Sequence, residues 1–177
     1  MRVAASGILA VRVPRDRVIF GAYLALVMVA AHGLIVIRNL PGSGVVLVLG
    51  IMLIVIASDA GGYFGGRLIG GPKFWPQVSP KKTWSGTVTG WVLAALVGGA
   101  FAEPLGAGTK VVALSVLLAF AGQMGDIAES AIKRRYGVKD SSNLIPGHGG
   151  MLDRFDALIA VAAGVLLIVL VAGARFS

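Results

Sequence analysis

Long apolar stretches separated by short polar ones dominate the chain. Five stand out: Val18 to Ile37, Gly44 to about Ala57, Trp84 to Ala102, about Val111 to Gly125, and Ala157 to Ala174. The first, third and fifth are long enough to cross ~30 Å of hydrocarbon at ~1.5 Å per helical residue. The second runs on into Ser58 and Asp59, and the fourth into Asp126 and Glu129. Both need their polar ends at membrane depth, facing protein or a water-filled cavity. The pattern predicts an all-α, polytopic membrane helix bundle of about five transmembrane helices. Residues 1–177 form one membrane domain.

Composition agrees with the pattern. Hydrophobic residues make up 56% of the chain and charged ones 14%, about half the charge density of a soluble domain. There is no cysteine, which excludes a disulfide framework and a thiolate metal site. The net charge of +8 is read as membrane topology and not as nucleic-acid binding. Arg38–Ser43 and Glu103–Lys110 are short connections, so Asp59–Thr83 and Asp126–Asp156 fall as two long loops on the N-terminal side. Thirteen of the sixteen Lys and Arg residues lie on that side, and only Arg38, Lys110 and Arg175 lie across from them. The positive-inside rule makes the N-terminal side cytoplasmic. Met1–Val13 lacks a small-residue cleavage site, so a cleaved signal peptide is not expected.

The candidate chemistry gathers on the same side. Asp16, Asp59, Asp126, Glu129, Asp140, Asp153 and Asp156 lie there, and only Glu103 lies opposite. Carboxylates at membrane helix ends are costly unless paired or bound to cations. If the fourth helix continues, Asp126, Glu129, Ser130, Lys133 and Arg134 share one face through their three- and four-residue spacings. Internal salt bridges on a helix end would explain that face equally well. Asp153 and Asp156 lie one turn apart where the fifth helix begins. Helix capping explains one carboxylate, but not the glycine-flanked His148 and Arg154 beside it. In Ser58–Arg67, Gly61/Gly65 and Gly62/Gly66 are spaced for close helix packing, the favoured reading over phosphate cradling. Ser79-Pro80-Lys81-Lys82-Thr83-Trp84 could hold phosphate oxygens, or serve as a basic interfacial anchor. Together, carboxylates for a divalent cation and basic groups for phosphates suggest a membrane enzyme acting on a phosphorylated substrate.

The run from Ser130 to Asp156, SAIKRRYGVKDSSNLIPGHGGMLDRFD, resembles the signature of the phosphatidate cytidylyltransferase (CDP-diacylglycerol synthase) family. Ser58-Asp59 and Ser79–Trp84 with Gly86 resemble further family segments in the same order. The resemblance covers about residue 45 to the C-terminus, which makes 45–177 the catalytic half. It implies transfer of the cytidylyl group of CTP to phosphatidic acid, giving CDP-diacylglycerol and pyrophosphate, with Mg²⁺ required and K⁺ assisting. By the same resemblance Asp126 and Asp153 are the first metal ligands, with Asp59 and Asp156 next. Asp126, Asp153, Lys133 and Arg154 are the catalytic candidates. Ser79, Lys81, Lys82, Ser130, Arg134, Lys139, His148, Gly149 and Gly150 are the substrate-binding candidates. A homodimer in the inner (plasma) membrane, with its active site facing the cytoplasm, is also implied. Bacterial members usually carry further N-terminal spans, so the N-terminal region here reads as reduced.

The alternatives are a related CTP-dependent transferase on another lipid phosphate, an inactive, N-terminally truncated relative acting as a scaffold, and a small cation channel or transporter. The Asp-Gly-x-x-Ala-Arg pattern of CDP-alcohol phosphotransferases is absent. A channel would need polar groups in mid-membrane, where only His32 stands out; it is read as a packed, hydrogen-bonded histidine and not a relay.

Overall fold

A computed structural model describes residues 14–135, 137 and 155–173. Five helices account for most of them: α1 (Pro14–Arg38), α2 (Gly44–Leu68), α3 (Trp84–Ala102), α4 (Lys110–Arg135) and α5 (Asp156–Gly173). Four of these are long and apolar enough to cross a membrane, over Arg17–Arg38, Gly44–Leu68, Trp84–Ala102 and Lys110–Arg135, while the apolar stretch Asp156–Leu170 is shorter. The membrane-length stretches of those four are predominantly apolar, as lipid-surrounded helices are. Large side chains such as Met28, Ile56, Leu96, Leu117 and Leu167 point outward, a face that suits lipid tails and not water.

Neighbouring helices pack in the order α2–α3, α3–α4 and α4–α5, and α1 lies mainly against α5. The core between them is built from Ile37, Ile51, Ile54, Ala94, Leu118, Ala119 and Val161. A smaller cluster of Ala30, Ile159 and Ala162 joins α1 to α5. Small residues set the spacing. A Cβ on Gly61 of α2 would lie 3.0 Å from the Gly90 Cα of α3, and one on Gly90 would lie 2.7 Å from the Ser58 carbonyl oxygen. The expectation that these glycines serve packing therefore holds: α2 and α3 touch backbone to backbone.

Three expectations need correction. Residues 59–68 and 126–135 are not loop, because α2 continues to Leu68 and α4 to Arg135; in α2, Ala, Gly and aromatic residues still permit helix, and packing on α3 outweighs the glycine propensity penalty. The rest of the expected loop contains a two-stranded antiparallel hairpin, β1 (Lys73–Trp75) and β2 (Ser79–Thr83), a small exception within an otherwise helical fold. It leaves α2 through Gly70 and Gly71, with φ of +68° and +103°, backbone open to glycine at little cost. It returns into α3 with the Trp84 N–H donating to the Pro72 carbonyl at 3.1 Å. Finally, His32 is exposed on α1 and not packed. The segment Met1–Val13 lies outside the described residues.

Candidate active site

The overhang of α2 and the hairpin that follows it create the site. From Asp59 to Leu68 in α2, and from Asp126 to Arg135 in α4, each helix runs on for about 14 Å past its carboxylate. The helices α3 and α5 begin close to the level of those carboxylates, since Thr83 and Gln123 line one cleft and Gly125 packs against Asp156 and Ala160. The extra turns of α2, the hairpin, the first turn of α3 and the Gln123–Asp126 turn of α4 wall a cleft of about 420 Å³ at one end of the bundle. That is the size of a small-ligand pocket.

Each wall contributes specific chemistry. Helix α2 supplies Ser58, Asp59, Tyr63 and Arg67, the hairpin supplies Lys81 and Lys82, and α4 supplies Gln123 and Asp126. Gly62 and Gly66 leave backbone on the cleft surface. The Lys82 ammonium is ion-paired with Asp126 and donates to the Gln123 carbonyl at 3.4 Å. Ser130, one turn beyond, donates to Asp126 Oδ1 at 3.4 Å. Arg67 donates to the Tyr63 hydroxyl at 2.8 Å, which holds the guanidinium along the α2 wall. Thr83 caps α3, its hydroxyl accepting from the Gly86 N–H at 3.2 Å, so β2 passes into the helix with Lys82 fixed one residue earlier.

The carboxylates lie near one another. Asp59 and Asp126 are close enough for their charges to interact. Asp156 feels the charges of Asp126 and Glu129 and lies within hydrogen-bonding reach of Asp126. It also accepts from the adjacent Ala157 N–H at 2.6 Å and lies in the first turn of α5, close to Asp126. Among the described residues, no three His, Asp or Glu side chains form a ready-made metal cage. Mg²⁺ does not ask for one: it usually takes one or two carboxylates and completes its shell with water and substrate phosphate. The donor set of Asp126 with Asp59 or Asp156 fits that habit.

Of the residues singled out in the sequence, Asp59, Lys81, Lys82 and Asp126 share the cleft, with Ser130 and Asp156 touching its edge through Asp126. Lys133 is held by Glu129 at 3.6 Å, one turn apart on α4. Arg134 is exposed at the end of α4, and Ser79 pairs with Trp75 in the hairpin. Neither Lys133, Arg134 nor Ser79 lines the cleft. Lys139, His148, Gly149, Gly150, Asp153 and Arg154 lie outside the described residues.

Gln123 and Arg67 are not among the sequence candidates. Gln123 accepts from Trp91 Nε1 at 3.0 Å and donates from Nε2 to Ser58 Oγ at 3.3 Å and to the Thr87 carbonyl at 3.4 Å. A lone amide inside the apolar run Val111–Gly125 is the available signal, because a primary amide at membrane depth requires partners.

A bundle of apolar helices with neighbouring carboxylates and three basic side chains around one end-on cleft is, as a class, a polytopic membrane protein with a charged cleft at one end. The particular lineage follows from comparison: residues 4–172 match the cytidylyltransferase family, and the chain belongs to it. Curated relatives named phosphatidate cytidylyltransferase include the protein from Brucella suis biovar 1 (strain 1330), 44% identical over 137 residues, 76% of this chain and 50% of the relative. The Bacillus subtilis (strain 168) protein is 40% identical over 73% of this chain and 49% of its own length. The Helicobacter pylori (strain ATCC 700392 / 26695) protein is 41% identical over 69% and 46%. The chain thus spans about half the length of the curated relatives it matches.

Proposed function

We propose that the protein transfers the cytidylyl group of CTP to phosphatidic acid, giving CDP-diacylglycerol and pyrophosphate. The observation that carries this reading is the meeting of Asp59, Asp126, Lys81, Lys82 and Arg67 around one cleft, in a chain that belongs to a cytidylyltransferase family.

In this reading an oxygen of the lipid phosphate bonds to the α-phosphorus of CTP as the bond from that phosphorus to the bridging oxygen breaks, and pyrophosphate leaves with the electron pair. No covalent enzyme intermediate is required, because the lipid phosphate is already an anionic nucleophile. Lys81, Lys82 and Arg67 hold phosphate oxygens of nucleotide and lipid and oppose their mutual repulsion. Asp126 is the central carboxylate, with Asp59, Asp153 and Asp156 as its partners in holding Mg²⁺. When bound, Mg²⁺ neutralises phosphate charge and helps align the two substrates. Asp153, Lys133 and Arg154 complete the catalytic set, and Ser79, Ser130, Arg134, Lys139, His148, Gly149 and Gly150 complete the substrate contacts. Residues 45–177 are the catalytic half, consistent with a cleft to which α1 contributes no side chain. The cleft faces the cytoplasm of a multi-pass inner-membrane protein, supported by the basic residues on that side. K⁺ as a second cation and a homodimeric state complete the reading.

The test is release of pyrophosphate from CTP by the purified protein in lipid–detergent micelles. It should require both phosphatidic acid and Mg²⁺, and an Asp153→Asn variant that remains folded should lose it. Turnover with another lipid phosphate but not phosphatidic acid would reassign the acceptor.

A further inference from the structure

We infer that Gln123 is a positioning residue that sets the spacing of Asp59 and Asp126 by tying three helices together beneath them; the inference rests on the proposed metal-dependent reading of the cleft.

The orientation of its amide follows from chemistry. The Trp91 indole can only donate, so the atom it meets at 3.0 Å is the amide oxygen. Nitrogen Nε2 must then face Ser58 Oγ at 3.3 Å and the Thr87 carbonyl at 3.4 Å. Both amide hydrogens are used, one on α2 and one on α3, while the side chain itself belongs to α4. Ser58 and Thr87 are buried and Gln123 is half-buried, so these bonds cross the helix interfaces at the floor of the cleft. Ser58 directly precedes Asp59, and Gln123 lies three residues, one turn, before Asp126. The same residue's carbonyl accepts from Lys82, the cation paired with Asp126. One side chain and its own backbone therefore reference both carboxylates and the lysine to a common point.

The space for this amide is also built in. A Cβ on Gly90 would approach Gln123 Nε2 to 2.9 Å, so α3 presents bare backbone where the amide sits. Nothing in the packing of α2 on α3 alone calls for a primary amide; an apolar side chain of equal length would fill the same volume. What the amide adds is direction, since its three bonds restrict rotation and translation of α4 against both neighbours.

The test compares wild type with Gln123→Met, which keeps side-chain length and removes the three polar contacts. The chain has no cysteine, so nitroxide labels at Phe64→Cys and Ala128→Cys, both at exposed positions, report the distance between α2 and α4 by pulsed electron resonance. The label distance distribution should broaden or shift in Gln123→Met. The Mn²⁺ concentration giving half-saturation in the presence of CTP should rise about ten-fold. Trp91→Phe should move both readouts in the same direction, and the double variant should be no worse than Gln123→Met alone. An unchanged distribution overturns the inference. A broadened one with unaltered Mn²⁺ half-saturation also overturns it, leaving a purely structural amide. If wild type binds no Mn²⁺, the functional reading fails, and the label distances alone decide whether Gln123 sets the spacing of the two helices.

Discussion

Gly90→Ala adds one methyl group where α2, α3 and α4 meet. The new Cβ would stand 2.7 Å from the Ser58 carbonyl oxygen, 2.9 Å from Gln123 Nε2 and 3.1 Å from Ser58 Oγ. The nearest of these is helix backbone and cannot rotate away. Two opposing effects set the outcome. Alanine is favoured over glycine inside a helix by about 1 kcal/mol. Overpacking a fitted interface costs about 1–3 kcal/mol, more where backbone must move. Gly99, nine residues later on the same helix, is the internal control: it is exposed, and a Cβ there would have nothing within 4 Å, so only the helix-propensity gain applies. The difference between the two alanine variants is then about 1–3 kcal/mol. At roughly 2–4 °C per kcal/mol for a chain of this size, Gly90→Ala should melt about 2–12 °C below Gly99→Ala. Thermal melting in detergent, followed by size-exclusion chromatography or intrinsic fluorescence, measures this directly. Turnover should fall with Gly90→Ala and stay at the wild-type level with Gly99→Ala, because only the first displaces the Gln123 amide. Equal melting temperatures, or a more stable Gly90→Ala, would refute the close approach of α2 and α3 beneath the cleft.

Lys82→Met removes the cation shared by Asp126 and the Gln123 carbonyl. With a charge-assisted contact worth about 1.5–3 kcal/mol, kcat/KM for CTP should fall about 10- to 100-fold in pyrophosphate-release kinetics. Thr83→Ala deletes the α3 cap and should destabilise the protein by about 1 kcal/mol, seen as a melting temperature lower by about 2–4 °C, with a smaller effect on KM than Lys82→Met. A cysteine introduced at Lys81 should react with a membrane-impermeant maleimide only from the cytoplasmic side of oriented vesicles, and one at Lys110 only from the opposite side.

The helical segments are legible in the sequence because apolar runs of this length have few alternatives in a bilayer: backbone groups must be satisfied within the segment. Trp84–Ala102 matches its apolar run to the residue. The continuation of α2 to Leu68 is hidden by Gly61, Gly62, Gly65 and Gly66, which lower helix propensity locally and are compensated by packing on α3, a tertiary effect. The hairpin is hidden for a similar reason. Its strands are three and five residues long, and Pro80 within β2 argues against a strand by propensity alone. Asp59, Asp126, Lys81 and Lys82 are visible as individual charged residues in an apolar chain. Their meeting is not, because it depends on α2 continuing as helix past Asp59 and on the hairpin returning Lys82 to Gln123 and Asp126 on α4. Gln123 escapes notice because one neutral amide barely alters the hydropathy of its segment, although its cost at membrane depth marks it.

The central claim is that the cleft centred on Asp126 moves a cytidylyl group onto a lipid phosphate. The most direct measurement is transfer of radiolabel from [α-³²P]CTP into chloroform-soluble lipid by the purified protein with phosphatidic acid, across a Mg²⁺ titration, for wild type and Asp126→Asn. The account predicts Mg²⁺-dependent labelling by wild type and none above background for Asp126→Asn at matched folding. Labelling of equal rate by both proteins would contradict it.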